Sequence, residues 1–400
     1  MPARRTAALA AALLLTSLAV TAAAPHPTAR PAKDLVCETT LWAPNTFGNT
    51  AYRIPAVVRT GSTLVAFAEA RRNSPSDSGD ISVVERRSTD GGCTWTPQQT
   101  VADYGNGVIG NEVPLVTAAG GLALITDSQA GAVTQDDIQA GTVSAADGRR
   151  VWIQASADAG ATWSPRREIT SQVKLPDWRW FATGPGHGIT VQYGAALGRF
   201  VVAADHTGET RNDRGIEAMI SDDSGRTWRI GALDDHSAAD DPVRPDETTA
   251  AELLDGRIYL SSRNVDGSLQ DPPLGRGYTY SLSDGSTFSA PSRPMPGLVA
   301  PEAEGSVLQD PGLPAGVSCH PLLYSGPEDP AVRQHLTIRR SDDGGITWYD
   351  IAEITAPDGP AAYSDIVKVD RTHLGIAYET WDGPGQPARI AWTTITLGCP

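Results

Sequence analysis

Along most of its length the chain breaks into short apolar runs of strand character, each closed by a polar segment rich in Ser, Asp and Gly. ISVVERRS (81–88) and RVWIQAS (150–156) are two such runs, and THLGIAYE (372–379) and ARIAWTTITL (388–397) are two more. Short stretches of β-branched and aromatic residues bounded by turn formers predict strands, not helices. The polar closures repeat. Ser-x-Asp-x-Gly-x-Thr-Trp occurs as STDGGCTW from Ser88, SADAGATW from Ser156, SDDSGRTW from Ser221 and SDDGGITW from Ser341. A degenerate copy, SLSDGSTF, begins at Ser281, with Ser283 in place of the Asp and Phe288 in place of the Trp. The starts lie roughly 60 to 68 residues apart.

The motif has the chemistry of a hairpin turn. Ser and Asp side chains bond to nearby backbone N–H groups, and Gly permits positive φ. The Trp tucks beneath the turn between strands. Each repeat then predicts one small antiparallel sheet. Such a sheet cannot bury its faces alone, so copies must stack about an axis. About 360 residues at roughly 60 per repeat predict a six-bladed β-propeller of four-stranded antiparallel blades. The sixth blade would be closed by the last two strands and the first, from Leu35 to Trp42, which hides the sheet edges. The turn motifs themselves are expected to be staples on the outer rim.

Composition agrees with this reading. Gly (40) and Pro (30) make up about 18 % of the 400 residues, as suits a loop-rich all-β protein. The first 24 residues lie outside the pattern. Arg4 and Arg5 precede an apolar stretch from Ala7 to Val20, and Ala22-Ala23-Ala24 resembles a cleavage site. Residues 1–36 are therefore expected to be a signal peptide and disordered leader, and 37–400 the propeller. The protein would be secreted and extracellular. The apolar stretch is shorter than the ~20 residues that span a bilayer. Removal of residues 1–24 takes two arginines and no acid from a net charge of −15. The more acidic product argues against nucleic acid or an anionic membrane as partner. Cys37, Cys93, Cys319 and Cys399 show no metal-ligand spacing. In an exported chain they suit disulfides, and Cys37–Cys399 is the expected pair because a circular fold joins its ends.

Ligand sites in propellers lie where loops converge on the axis, so charged residues inside apolar strand contexts are informative. TAYRIPAVVR places Arg53, ELLDGRIYLSSRN ends on Arg263, and PAVRQHLTIRR carries Arg333. These are three arginines from three repeats. Gathered at an axis, they would form a cationic spot whose guanidinium forks match a carboxylate or phosphate.

YRIP, the repeated Asp-boxes, the Glu and Arg of ETTAAELLDGRIYLSSRN and the Tyr of AAYSDIV together resemble the exo-sialidases (neuraminidases) of the secreted bacterial type. The resemblance spans about residues 37–397. It implies an exo-α-sialidase that hydrolyses terminal sialic acids from glycans, glycoproteins or glycolipids with retention, as a monomer and with no cofactor or metal. Arg53, Arg263 and Arg333 would clamp the substrate carboxylate. Tyr363 would be the nucleophile and Glu247 its base. The physical reason for a phenol is the substrate's own carboxylate: a second one about 4 Å away would be repelled by roughly 4 kcal/mol. Asp77, in EARRNSPSDSGDIS, matches the acid/base, with Asp80 its competitor. Arg71 matches an arginine that contacts the ring substituents, with Arg72 adjacent. Glu379 matches the acid that holds Arg53. Glu252 competes with Glu247. Asn111, Glu112, Asp127, His187 and His206 are weaker candidates for the pocket wall. Two other readings use the same scaffold: a sialic-acid-binding propeller without turnover, and an Asp-box glycosidase acting on a neutral glycan with two carboxylates.

Overall fold

A computed structural model describes residues 35–397, apart from 211–212, 237–242, 266–274, 283, 296, 310–320, 384–385 and 387. The expected signal peptide therefore lies outside the described residues. Leu35 and Val36, counted with the leader above, belong to the first strand, Leu35–Trp42.

The described chain is an all-β propeller of antiparallel blades. The closing blade has the order Leu35–Trp42, Arg389–Thr396, His373–Thr380, Ser364–Lys368. Its outer strand comes from the N-terminal end of the described chain, and Cys37 pairs in register with Thr394. The expectation that first and last strands share a sheet is met. Two further blades have four strands each, running from Pro245–Glu252 to Arg293–Met295 and from Ser306–Gln309 to Tyr349–Glu353. Another, built on Phe200–Thr207 and Arg214–Ser221, has five because its inner position is split into Phe181–Thr183 and Ile189–Thr190.

The expected set of six separate four-stranded blades needs correction. The first eight strands after Trp42 form one continuous sheet. Two antiparallel groups, beginning at Ala51–Thr60 and Val108–Val116, are joined through a single parallel pair, Ile81 with Val108. That pair forms because Gly107 brings the second group against the first, its carbonyl accepting from Ile81 N–H at 3.1 Å.

Each sheet is sandwiched between neighbours, so its central strands are buried on both faces. Leu122–Gln129 is buried at every position. Apolar clusters fill the gaps between sheets. One joins Trp42, Val367 and Trp392 of the closing blade to Tyr52, Val57 and Leu64 of the next.

The turn motifs act as expected. Ser88 Oγ donates to Asp90 and accepts from Gly92 N–H, and Asp90 accepts from both the backbone and the hydroxyl of Thr94. The same set recurs at Ser156, Ser221 and Ser341. They also do something the sequence did not disclose: the turns seat on strands of the neighbouring repeat. Gly92, with φ +92°, lies so close to Trp392 that a Cβ would fall 2.1 Å from its indole nitrogen, and a Cβ on Gly345, with φ +97°, would fall 2.5 Å from the Tyr259 ring. Only glycine fits both this φ and this approach.

The same docking corrects the disulfide. The bond joins Cys37 to Cys93, not to Cys399. Cys93 sits in the turn that rests on the closing blade, and Cys37 is on that blade's outer strand. Cys319 and Cys399 lie outside the described residues.

Candidate functional site

A cavity of about 570 Å³ opens at one end of the axis. Arg53, Arg71, Asp77, Glu247, Arg263, Arg333 and Tyr363 all line it. Residues from four sheets thus meet at one point. Backbone bulges aim several of them. The pairing register slips between Arg53 and Ala56, with Ile54 at φ +57°. It slips again between Pro245 and Thr248, around Glu247, and between Gly110 and Val113, where Asn111 has φ +47°. A bulge turns a side chain away from the sheet face it would otherwise occupy, here toward the axis.

Arg53 is gripped from behind by Glu379, Nε at 3.1 Å and Nη2 at 3.2 Å, and the same carboxylate accepts from Ile54 N–H at 2.8 Å. Burial by itself would weaken the proton affinity of Arg53, but Glu379, Tyr363 and Asp77 more than offset this and raise it. Arg263 donates to Glu247 at 3.1 Å and to Glu302 at 3.2 Å. Arg333 donates twice to the backbone carbonyl of Glu302, at 2.7 and 3.2 Å. The Arg53 and Arg333 guanidiniums lie 5.0 and 5.4 Å from the centre of the Tyr363 ring.

Tyr363 is buried and donates its hydroxyl proton to Glu247 in a short hydrogen bond, with Arg263 Nη1 3.4 Å from the same oxygen. Burial first, and then the Glu247 carboxylate, push the phenol well above its ordinary range, against the pull of the three arginines. The resting hydroxyl is neutral and already hydrogen-bonded to a carboxylate.

Asp77 stands exposed at the mouth, 2.6 Å from Arg71 and 3.4 Å from Arg53. Partial desolvation works against its charge, yet Arg71 and Arg53 outweigh it and hold the carboxyl below the usual carboxylate range. Arg71 is itself buried and anchored by Glu69 at 2.6 Å.

The competitors fall elsewhere. Asp80 pairs with the exposed Arg72 at 3.3 Å, and neither lines the cavity. Glu252 accepts from the backbones of Gln192 and Tyr193 and lines a separate cavity of about 850 Å³, as does His187. His206 is stacked 3.7 Å from Trp178 and bonded to Glu217 at 2.7 Å, a core role. Asn111 lines the cavity, while Glu112 is fully buried. Asp127 holds Arg149, at 2.8 Å, against the wall beside Trp180. Sequence reasoning missed Glu302, which supports two arginines, and Glu69 behind Arg71. It also missed the Arg214–Asp246 pair at 2.7 Å on the cavity wall. Glu302 lies in no strand and no motif, so nothing in the local pattern marks it.

The chain has recognisable relatives. The BNR repeat-like domain family matches residues 62–376. A sialidase of Micromonospora viridifaciens is 28 % identical over 354 residues, covering 85 % of this chain and 51 % of that protein. An exo-alpha-sialidase of Aspergillus fumigatus is 29 % identical over 379 residues, covering 87 % of this chain and 84 % of its own. The chain spans about half the length of the Micromonospora relative and 60 % of a Bacteroides fragilis sialidase. Among solved structures, the Hadza microbial sialidase Hz136 superposes with a TM-score of 0.74 at 25 % identity, covering 90 % of this chain and 68 % of that one. A leech intramolecular trans-sialidase, at 16 % identity and a TM-score of 0.73, shares the fold. With its repeats and a matched span of more than half its length, the chain belongs to the BNR repeat-like domain family, among relatives that carry the name sialidase.

Proposed function

We propose that this chain is a secreted exo-α-sialidase that releases terminal sialic acids from sialylated glycans with retention of configuration, acting as a monomer after loss of its leader. The eight-stranded sheet then counts as two blades, six in all, with the cavity at the axial end. The observation that carries the reading is the partly buried Tyr363–Glu247 hydrogen bond within reach of three arginines.

The substrate carboxylate is clamped by Arg53, Arg263 and Arg333, which orients the anomeric carbon over Tyr363. Arg71 contacts the ring substituents. The phenol oxygen attacks that carbon while its proton passes to Glu247, so no free phenolate is needed. Deprotonating a phenol outright at pH 7 would cost about 4 kcal/mol from its reference pKa, and more in this buried setting. Asp77 donates a proton to the departing glycosidic oxygen. In the second half, Asp77 takes a proton from water, the hydroxide part attacks the anomeric carbon as its bond to the Tyr363 oxygen breaks, and Glu247 returns the proton to that oxygen. Asp77 is held ionised by Arg71 and Arg53 in the free protein, so it must gain its proton as substrate binds. A bound carboxylate favours this, because it competes for Arg53 and adds negative charge nearby.

The test is incubation of the full chain with a fluorogenic sialoside, alongside Tyr363→Phe and Arg333→Ala, with NMR on the first-formed sugar anomer. Release by the wild type, strongly reduced in both variants, with the α anomer appearing first, is expected. Absence of release would favour a binding propeller or a neutral-glycan enzyme.

A further inference from the structure

Asp365 lies two residues beyond Tyr363 and is fully buried. One oxygen accepts from Val57 N–H at 2.8 Å. The other accepts from the Ser306 hydroxyl at 2.6 Å, sits 2.7 Å from His187 Nδ1, and is 3.0 Å from its own Ile366 N–H. Each partner leads to the site. Val57 is on the strand that carries Arg53. Ser306 begins the strand that follows Glu302 and its two arginine contacts. His187 belongs to the segment whose Gly184 carbonyl accepts from Thr248 N–H at 2.9 Å, next to Glu247. A single carboxylate therefore ties together the backbones that deliver Arg53, Tyr363, Glu302 and Glu247. Neighbouring strands of different blades share no continuous hydrogen-bond ladder, so such cross-ties must set their relative height along the axis.

We propose that Asp365 is a positioning residue for the reaction, fixing the height of the Tyr363 phenol against Glu247 and the clamped sugar. This rests on the sialidase reading above. Its effect should fall on turnover more than on binding. Long guanidinium side chains, held locally by Glu379 and Glu302, can follow a small shift of their strands. A phenol aimed at one carbon cannot. The ring is locked by burial, and its oxygen has one productive position.

The experiment uses the full chain with a fluorogenic sialoside. It compares wild type, Asp365→Asn, Ser306→Ala and, as a control for lost buried polar contacts, Asp234→Asn. Asp234 accepts from Ser292 N–H at 2.6 Å on the outer part of another blade. Circular dichroism and thermal midpoints establish folding, and kcat and KM are measured well below the midpoints. Asp365→Asn is expected to lose roughly 10- to 100-fold in kcat with KM changed less than about threefold. Ser306→Ala should lose a few-fold in kcat in the same pattern, and Asp234→Asn only thermal stability. Unchanged kcat in a folded Asp365→Asn protein would overturn the proposal. If that variant does not fold, unchanged kcat in Ser306→Ala would overturn it instead. A wild type without turnover would remove the sialidase reading and this inference with it. An active wild type with unaffected variants would remove this inference alone.

Discussion

Arg53 and Glu379 stand 326 residues apart in the chain and meet as a two-point ion pair, Nε to Oε1 at 3.1 Å and Nη2 to Oε2 at 3.2 Å. The carboxylate is almost wholly buried, so the guanidinium is aimed before any ligand arrives. Two parallel bonds fix orientation as well as position. On the proposed reading, Glu379→Gln keeps the shape and loses the charge. KM for a sialoside should rise about tenfold, with kcat changed less, in steady-state kinetics on the folded variant. A tenfold change corresponds to about 1.4 kcal/mol of binding. An unchanged KM would mean that Arg53 needs no such support.

Tyr363 and Glu247 are expected to act as a unit. Tyr363→Phe and Glu247→Gln should each lower kcat by roughly 100-fold or more. The double variant should be little worse than either single one, because removing one partner leaves the other without a task. Independent, multiplicative losses would argue against direct proton transfer between them.

Asp77 is held ionised in the free protein by Arg71 and Arg53, against the opposing desolvation. A general acid must be protonated, so activity is lost as pH rises through its pKa. In the free enzyme that pKa is depressed; with the substrate carboxylate engaging Arg53 it should rise. The alkaline limb of kcat should therefore lie at higher pH than that of kcat/KM. Asp77→Ala should also cost far more with an alkyl sialoside than with a phenolic one, whose leaving group needs little protonation. Coincident limbs, or equal losses for both leaving groups, would point to another acid.

The Cys37–Cys93 bond closes a loop of 56 residues between the closing blade and the first turn motif. Loop-closure entropy puts its contribution at about 4 kcal/mol. Cys93→Ser should lower the thermal midpoint by several degrees, and a reducing agent should do the same to the wild type but not to the variant. An unchanged midpoint in both would show that the docked turn holds without the bond.

Asp90 is a staple, not a reacting group. The hydroxyl and amide of Thr94, with the hydroxyl of Ser88, hold its carboxyl at about 2. A depressed folded-state value means that the stabilisation is present above the unfolded carboxylate pKa and fades as pH falls toward 2. Asp90→Ala should lower the thermal midpoint and leave kcat and KM unchanged at temperatures where the variant is folded. A matching loss of kcat would tie the rim turn to the cavity.

Much of this protein was legible in one dimension because its local chemistry repeats. A turn motif needs only eight consecutive residues, and strand runs such as ISVVERRS declare themselves by composition. The propeller, the closure by first and last strands, and the arginines in apolar contexts followed from that local pattern. Tyr363, Glu247, Asp77, Arg71 and Glu379 were found only through resemblance to a family, since an isolated Tyr or Glu carries no local mark.

Tertiary structure decided the rest, for reasons of geometry. Cys37 pairs with Cys93 because the turn that begins at Ser88 docks on the closing blade, a contact between segments that no local pattern couples. The eight-stranded sheet arises from one bridge between Ile81 and Val108. Glu302 supports two arginines, and Asp365 ties strands of several blades, because the axis brings their backbones within hydrogen-bond reach. Sequence determines which residues can form a turn or a strand. Only closure of the ring determines which side chains share the space at its centre.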